Sequence, residues 1–302
     1  MATYKTYDTV GIREDLQNAI YDISPTTTPF MSTVGRSTAK NTLHEWQTDS
    51  LADVNLANAQ VEGADAVAPT LTPTTRVGNY TQISDKVVQV STTDDKVDKA
   101  GRSTETAYQL SKASAEIKRD MESILLSDQA QNPGNNAAGY PVTSEARLLG
   151  GLASWLTTNV VDTAGVAPTE DNLKEAVLKA YTAGGEPTVL LVSPANKQVV
   201  STFPGIAEQR FQAPGTGQTK IVGAADLYMS DFGQLSVVPD RFLSNDISYV
   251  LDPSMASVAY LRPFKSTKLA KMGDSEKTMM NVEYTLVVKN EAAHAMMTDV
   301  TP

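Results

Sequence analysis

Two histidines, His44 and His294, are the side chains best suited to moving protons or holding a metal near neutral pH, and they lie 250 residues apart. That spacing excludes a His-Glu-x-x-His helix and any local pair of metal ligands. Each histidine reads as a structural residue, His44 in a strand-like stretch and His294 near the C-terminus. Gly215-Thr216-Gly217-Gln218-Thr219-Lys220 looks superficially like a phosphate loop. It lacks the Gly-Lys-Ser/Thr ending and precedes a strand instead of opening a helix, so it is rejected. Paired carboxylates, the usual tools of general acid–base chemistry, occur as Asp94-Asp95 and as Asp120 with Glu122. The second pair falls on the charged side of a helical pattern, where solvated ion pairs are expected. There is no Gly-x-Ser-x-Gly elbow and no calcium-loop spacing. Zero cysteines exclude disulfides, thiolate zinc sites and cysteine nucleophiles. No catalytic, cofactor-binding or metal residue is assigned, and no enzyme is expected.

The elements that hold these residues follow from composition and pattern. In 302 residues, 41% hydrophobic side chains and 20% charged ones describe an ordinary chain with enough apolar content for a sizeable core. A formal charge of −10 argues against a sequence-independent grip on nucleic acid, which relies on Lys and Arg displacing counterions. The longest strongly apolar runs, such as Val189–Val192, fall far short of a membrane span, and no secretory signal is visible. A soluble cytoplasmic protein is the expectation, unless a complex carries it elsewhere.

Residues 1–40 have little helix-forming power beyond one amphipathic turn at Leu16, Ala19 and Ile20. Ser24-Pro25-Thr26-Thr27-Thr28-Pro29 stops that turn. Residues 41–91 read as a long hairpin. Thr42–Thr48 alternates as one strand, and Asn79–Ser91 returns as the other, with a bulge or twist between Ile83 and Val88. The Ala-, Thr- and Pro-rich stretch between them, Asp49–Thr75, makes sense if the hairpin projects and its tip rests on another molecule.

Residues 103–128 give the strongest helix. Ala107, Leu110, Ala113, Ile117, Met121 and Ile124 form its apolar stripe, with Ser103 as N-cap. Asn132–Asn136 is a turn. Further on, Thr169 caps a helix closed by Gly184-Gly185, and Thr188–Val192 is a buried strand. Ser193-Pro194 starts a short helix, and a loop follows over 204–218. Strands are expected near Lys220–Val222, Asp226–Ser230, Leu235–Val238, Ile247–Leu251 and Val282–Val288. Helices and strands segregate, which is the α+β class.

Charge is unevenly placed. Residues 45–98 hold nine acids against three bases, and residues 262–289 hold six bases against three acids. An acidic projection and a basic patch on one chain suit a head-to-tail contact between copies, which closes into rings or extends into lattices.

The sequence resembles the major capsid proteins of tailed bacteriophages, the Hong Kong 97-type fold. The resemblance rests on Asn41–Gln47, Val61–Asp65, Arg76–Ile83, Ala100–Arg102, Lys118–Glu122, Asp231–Gly233, Val238–Phe242, Leu261–Lys265 and Met272–Lys277, in that order along the chain. It implies an N-terminal arm (1–40), an extended β-hairpin loop (41–91) lying over a neighbour, and a peripheral domain (92–160 plus 260–302) with a long spine helix. It also implies an axial domain (161–259), with the 204–218 loop near the five- and six-fold axes. The implied function is a subunit that self-assembles into pentamers and hexamers of an icosahedral shell enclosing double-stranded DNA, within the virion, assembled in the host bacterial cytoplasm. The implied partners are copies of itself, a separate scaffolding protein (or an upstream segment removed earlier), a portal and decoration proteins. No membrane, cofactor or sequence-specific DNA contact is implied. The type member joins subunits by Lys–Asn isopeptide bonds; no motif marks such a pair here, so non-covalent joints are expected. Glu62 and Asp65 on the hairpin are expected to meet a neighbour's Arg262, Lys265, Lys268, Lys271 and Lys277. The alternatives are another multimeric phage head or tail structural protein and, third, a soluble α+β hydrolase.

Overall fold

A computed structural model describes residues 24–65, 71–135, 145–203 and 227–301. The turn expected at Leu16–Ile20, the look-alike phosphate loop, the 204–218 loop and the strand near Lys220–Val222 lie outside these residues.

Two sheets form the body. The four-stranded sheet has the order β1 (Gly35–Thr38), β10 (Ala256–Lys268), β11 (Ser275–Val288), β4 (Gln82–Ser91). The antiparallel pair β10–β11 runs from Ala256 opposite Val288 out to Lys268 opposite Thr278. Its register shifts between Tyr260 and Lys265, around Pro263, a residue with no N–H to give to the ladder. The expected strand Val282–Val288 is the inner, buried end of β11, whereas most of the outer half of β10 is exposed. β10 has no clear alternation in the sequence, because its lysines and its proline hide it.

The six-stranded mixed sheet has the order β5 (Val160–Asp162), β12 (Ala295–Thr298), β9 (Ser248–Leu251), β6 (Val189–Val192), β8 (Gly233–Pro239), β7 (Leu227–Ser230). β12 therefore leaves the stretch expected with the peripheral domain and joins the sheet of the middle segment. Along β6, Val189 and Leu191 enter one hydrophobic cluster while Leu190 and Val192 enter another. Cover on both faces explains why this strand is an unbroken apolar run. α5 (Glu170–Thr182) covers one face through Leu173, Ala176, Val177 and Ala180. Its N-terminus is capped as expected, with Asn172 N–H donating to the Thr169 hydroxyl at 3.2 Å. Ser193 caps α6 (Pro194–Val200) in the same way.

The long helix is α3 (Glu105–Leu126). Its buried line is Ala113, Ile117, Met121 and Leu125, steps of four; Ala107 is exposed, and Leu110 and Ile124 are half-buried. Thr104, not Ser103, is the N-cap residue, and its side chain makes no capping bond. The carboxylate of Asp95, in α2 (Thr92–Lys96), instead accepts the Thr106 N–H at 3.1 Å. The larger cluster joins this helix to α1 (Pro29–Thr33) and to both sheets through Phe30, Met121, Leu191, Tyr249, Val258 and Tyr284.

A separate two-stranded ribbon, β2 (Leu43–Thr48) with β3 (Thr75–Tyr80), stands outside both sheets. The expected return strand through Ser91 is thus divided. Thr81 donates its N–H to the Thr42 carbonyl at 2.8 Å, and from Gln82 the chain pairs with β11. No bulge interrupts the stretch between Ile83 and Val88: β4 pairs with β11 in unbroken register from Gln82 to Ser91, and Ile83 and Val87 both face outward.

Candidate functional site

The side chains singled out for chemistry are not gathered. His44 lies on β2 against Trp46, with ring centroids 6.2 Å apart. His294 is fully buried and accepts the Asp252 N–H on Nδ1 at 3.2 Å, and burial holds its imidazole below the ordinary pKa. Asp94 pairs with Lys99 at 2.9 Å. Asp95 is held below the usual carboxylate range by the N–H of Thr106. Among the described residues no group of three or more His, Asp or Glu side chains is placed to hold a metal, and no helix is long and apolar enough to cross a membrane.

The pair Asp120 and Glu122 requires a correction. Asp120 is solvated and pairs with Lys86 at 3.3 Å. Glu122 is fully buried, the opposite of a charged helical face. Two residues along a helix turn a side chain through about 200°, so the two carboxylates point to opposite sides. Glu122 accepts the N–H of Phe30 at 2.6 Å and of Met31 at 3.0 Å. Beside it lies Asp240, also fully buried. Desolvation first, then the Asp240 charge, push the Glu122 carboxyl up to about 8.

The ribbon carries a group of exposed apolar side chains. Beyond Thr48 and before Thr75, the described residues contain neither helix nor strand. Leu51, Val54, Leu56, Val61 and Leu71 are 80–98% exposed there. Gly63, at φ +83°, supports the turn in which Ala64 N–H meets the Val61 carbonyl at 3.1 Å. Glu62 and Asp65 sit beside this turn, exposed, with no ion pair among the described residues.

The root of the ribbon is, by contrast, tightly fixed. Trp46 packs on Trp155 of α4 (Leu152–Trp155) at 5.5 Å. Asn79 is fully buried, donating to the carbonyls of Gly150 (3.0 Å) and Leu286 (2.9 Å) and accepting the Gly150 N–H (2.8 Å). Gly150 and Gly151 lead into α4, and a Cβ on Gly151 would sit 2.2 Å from the Ser127 carbonyl oxygen, so only glycine admits this approach to the end of α3. Just past the root, Glu283 of β11 holds three donors: Arg147 (2.6 Å), Arg262 (2.7 Å) and the Thr81 hydroxyl (2.9 Å). No local pattern marks Asn79, Arg147 or Glu283 as a unit, because their partners lie 21 to 207 residues away.

The same contacts engage part of the basic patch within the chain. Arg262 is bound within its own chain by Glu283, and Lys268 faces Glu276 at 3.6 Å. Lys265, Lys271 and Lys277 have no ion pair among the described residues. They line the outer part of the β10–β11 hairpin near Phe264, Leu269 and Met272, which are 36–75% exposed. The arrangement presents an acidic stretch with exposed apolar side chains and a second, basic hairpin.

The family model described as SU10 major capsid protein matches residues 2–301. The major capsid protein of Escherichia phage Phieco32 is 30% identical over 337 aligned residues, covering 97% of this chain and 96% of that protein. The holo-SrpI encapsulin complex from Synechococcus elongatus PCC 7942 superposes with a TM-score of 0.60 at 15% identity, over 99% of this chain and 96% of that one. The capsid structure of cyanophage P-SCSP1u gives a TM-score of 0.62 at 9% identity, over 95% of this chain and 93% of that one.

Proposed function

This chain belongs to the SU10 major capsid protein family and carries the Hong Kong 97-type fold, and from that premise we propose how it works as a capsid subunit. Copies gather as pentamers and hexamers of an icosahedral shell around a phage's double-stranded DNA. The observation that supports the mechanism is the ribbon whose five apolar side chains are 80–98% exposed. A patch of that kind marks an interaction site, and here a neighbouring copy covers it.

The work is physical, not catalytic. Each subunit gives one ribbon and receives another, and many such contacts add through multivalency. The net charge of −10 keeps the shell from gripping the packaged DNA. Scaffolding, a portal and decoration proteins complete the assembly, which takes place in the host cytoplasm. Within the subunit, 1–40 acts as the arm and the ribbon, the 41–81 part of the 41–91 stretch, as the extended loop; 92–160 with the 260–302 stretch, joined by β4 and without β12, acts as the peripheral domain, and 161–259 with β12 as the axial domain.

Glu62 and Asp65 meet the uncommitted lysines of the neighbour's β10–β11 hairpin, Lys265, Lys271 and Lys277, with Arg262 and Lys268 held by their own carboxylates. Charge reversal tests this contact. Glu62→Lys with Asp65→Lys should raise the concentration needed for assembly by about 2- to 10-fold, the scale of exposed ion pairs. Lys265→Glu with Lys271→Glu should restore it. Assembly unaffected by the first pair of changes rejects the contact.

A further inference from the structure

Glu122 and Asp240 belong to segments 118 residues apart, α3 and the turn after β8, and both side chains are wholly buried. Glu122 spends its two oxygens on the backbone N–H groups of Phe30 and Met31. Asp240 accepts the Phe242 N–H at 2.8 Å on one oxygen, and its other oxygen has no donor. Two adjacent carboxylates without a cation between them cannot both ionise at low cost, and the vacant Asp240 oxygen is where a proton on Glu122 would be received.

The surrounding charges do not replace that proton. On α3, the Arg119 guanidinium lies over the Phe242 ring at 5.5 Å, and Asp120 turns away to Lys86. On the turn after β8, Arg241 is exposed. On β10, the Tyr260 phenol is pushed up by burial and feels Glu122 on one side and Arg36 of β1 on the other. Pro29–Val34 contributes no ionisable side chain. Neither carboxylate has an ion pair among the described residues.

We propose that Glu122 and Asp240 form a one-proton latch that fastens the base of the N-terminal arm, at Phe30 and Met31, to the body and loosens as the solution becomes alkaline. Release of α1 admits water to the pair, which gives up its proton to solvent; docking takes one proton back up. The direction is fixed by linkage. The docked pair keeps its proton to about 8, above the ordinary value of 4.5 for a glutamic acid. The docked state is therefore favoured fully below the ordinary carboxyl range and loses ground as pH climbs to about 8, after which the dependence levels off.

Hydrogen–deuterium exchange of the fragment containing Phe30–Val34, corrected for intrinsic exchange rates, reads the latch in the purified protein. Between pH 6 and 8 its protection should fall at least about tenfold, since each pH unit shifts a one-proton equilibrium tenfold. Fragments from the α5 core should keep theirs. In Glu122→Gln the amide donates to Asp240 as the shared proton did, and in Asp240→Asn the donation runs the other way. Both variants should show flat protection across this range. Native protection that stays flat, or a slope that survives in whichever variant folds, overturns the latch.

Discussion

Removing Leu51 and Leu56 together from the projecting ribbon should weaken assembly without weakening the subunit. The two side chains are 98% and 96% exposed, so their replacement by serine removes no contact within the chain. Surface changes of this kind usually move folding stability by less than about 0.5 kcal/mol. Docking against a neighbour is another matter. Full burial of a leucine is worth about 1.5–3 kcal/mol, and a ribbon lying on a surface covers roughly half of each side chain. The pair then contributes about 1.5–3 kcal/mol per contact, which is about 10- to 150-fold in the assembly threshold. Light scattering or sedimentation against protein concentration measures that threshold, and circular dichroism confirms that the double variant still folds. Salt separates this contribution from the charge contact, because screening weakens Glu62 and Asp65 but leaves the leucines unaffected. A folded double variant that assembles within twofold of the native threshold would refute the view that the ribbon's apolar side chains are covered by a neighbour.

Two further predictions concern the root of the ribbon. Glu283→Gln leaves Arg147 and Arg262 without their shared counter-charge, and because both arginines are partly solvated the loss should be about 2 kcal/mol, read from the denaturant midpoint; a change below about 0.5 kcal/mol contradicts the role given to this cluster. Gly151→Ala places a methyl group 2.2 Å from the Ser127 carbonyl oxygen at an ordinary φ of −76°, so the penalty is steric and should lower stability by about 1–3 kcal/mol in thermal melts. An unshifted melt contradicts the close approach of α3 and α4.

What the sequence revealed was local. The cap at Thr169, the helix start at Ser193-Pro194 and the buried run at Val189–Val192 each follow from neighbours within a few residues and stand as expected. Of the six-residue stripe on the long helix, Ala113, Ile117 and Met121 are buried. What it hid was set by distant partners. Glu122 reads as one more acid on a charged helix, because the amides that draw it inward lie 91 and 92 residues away. Arg262 reads as a free base for the same reason, since Glu283 is brought opposite it only when β10 and β11 pair. Asn79–Gln82 reads as the start of the return strand, although its polar side chains are buried and mark the change of sheet. The ribbon was legible as a projection because its Ala-, Thr- and Pro-rich stretch has too little apolar periodicity to join a core. Its five exposed apolar side chains were missed, being scattered singly among small and polar residues.

The most direct test of the shell subunit is electron cryo-microscopy of purified assemblies of this chain. Closed icosahedral particles built of pentamers and hexamers, with residues 49–65 of each subunit lying on a neighbour, are expected. Open tubes, single rings or dispersed monomers at concentrations where the folded protein is abundant would contradict it.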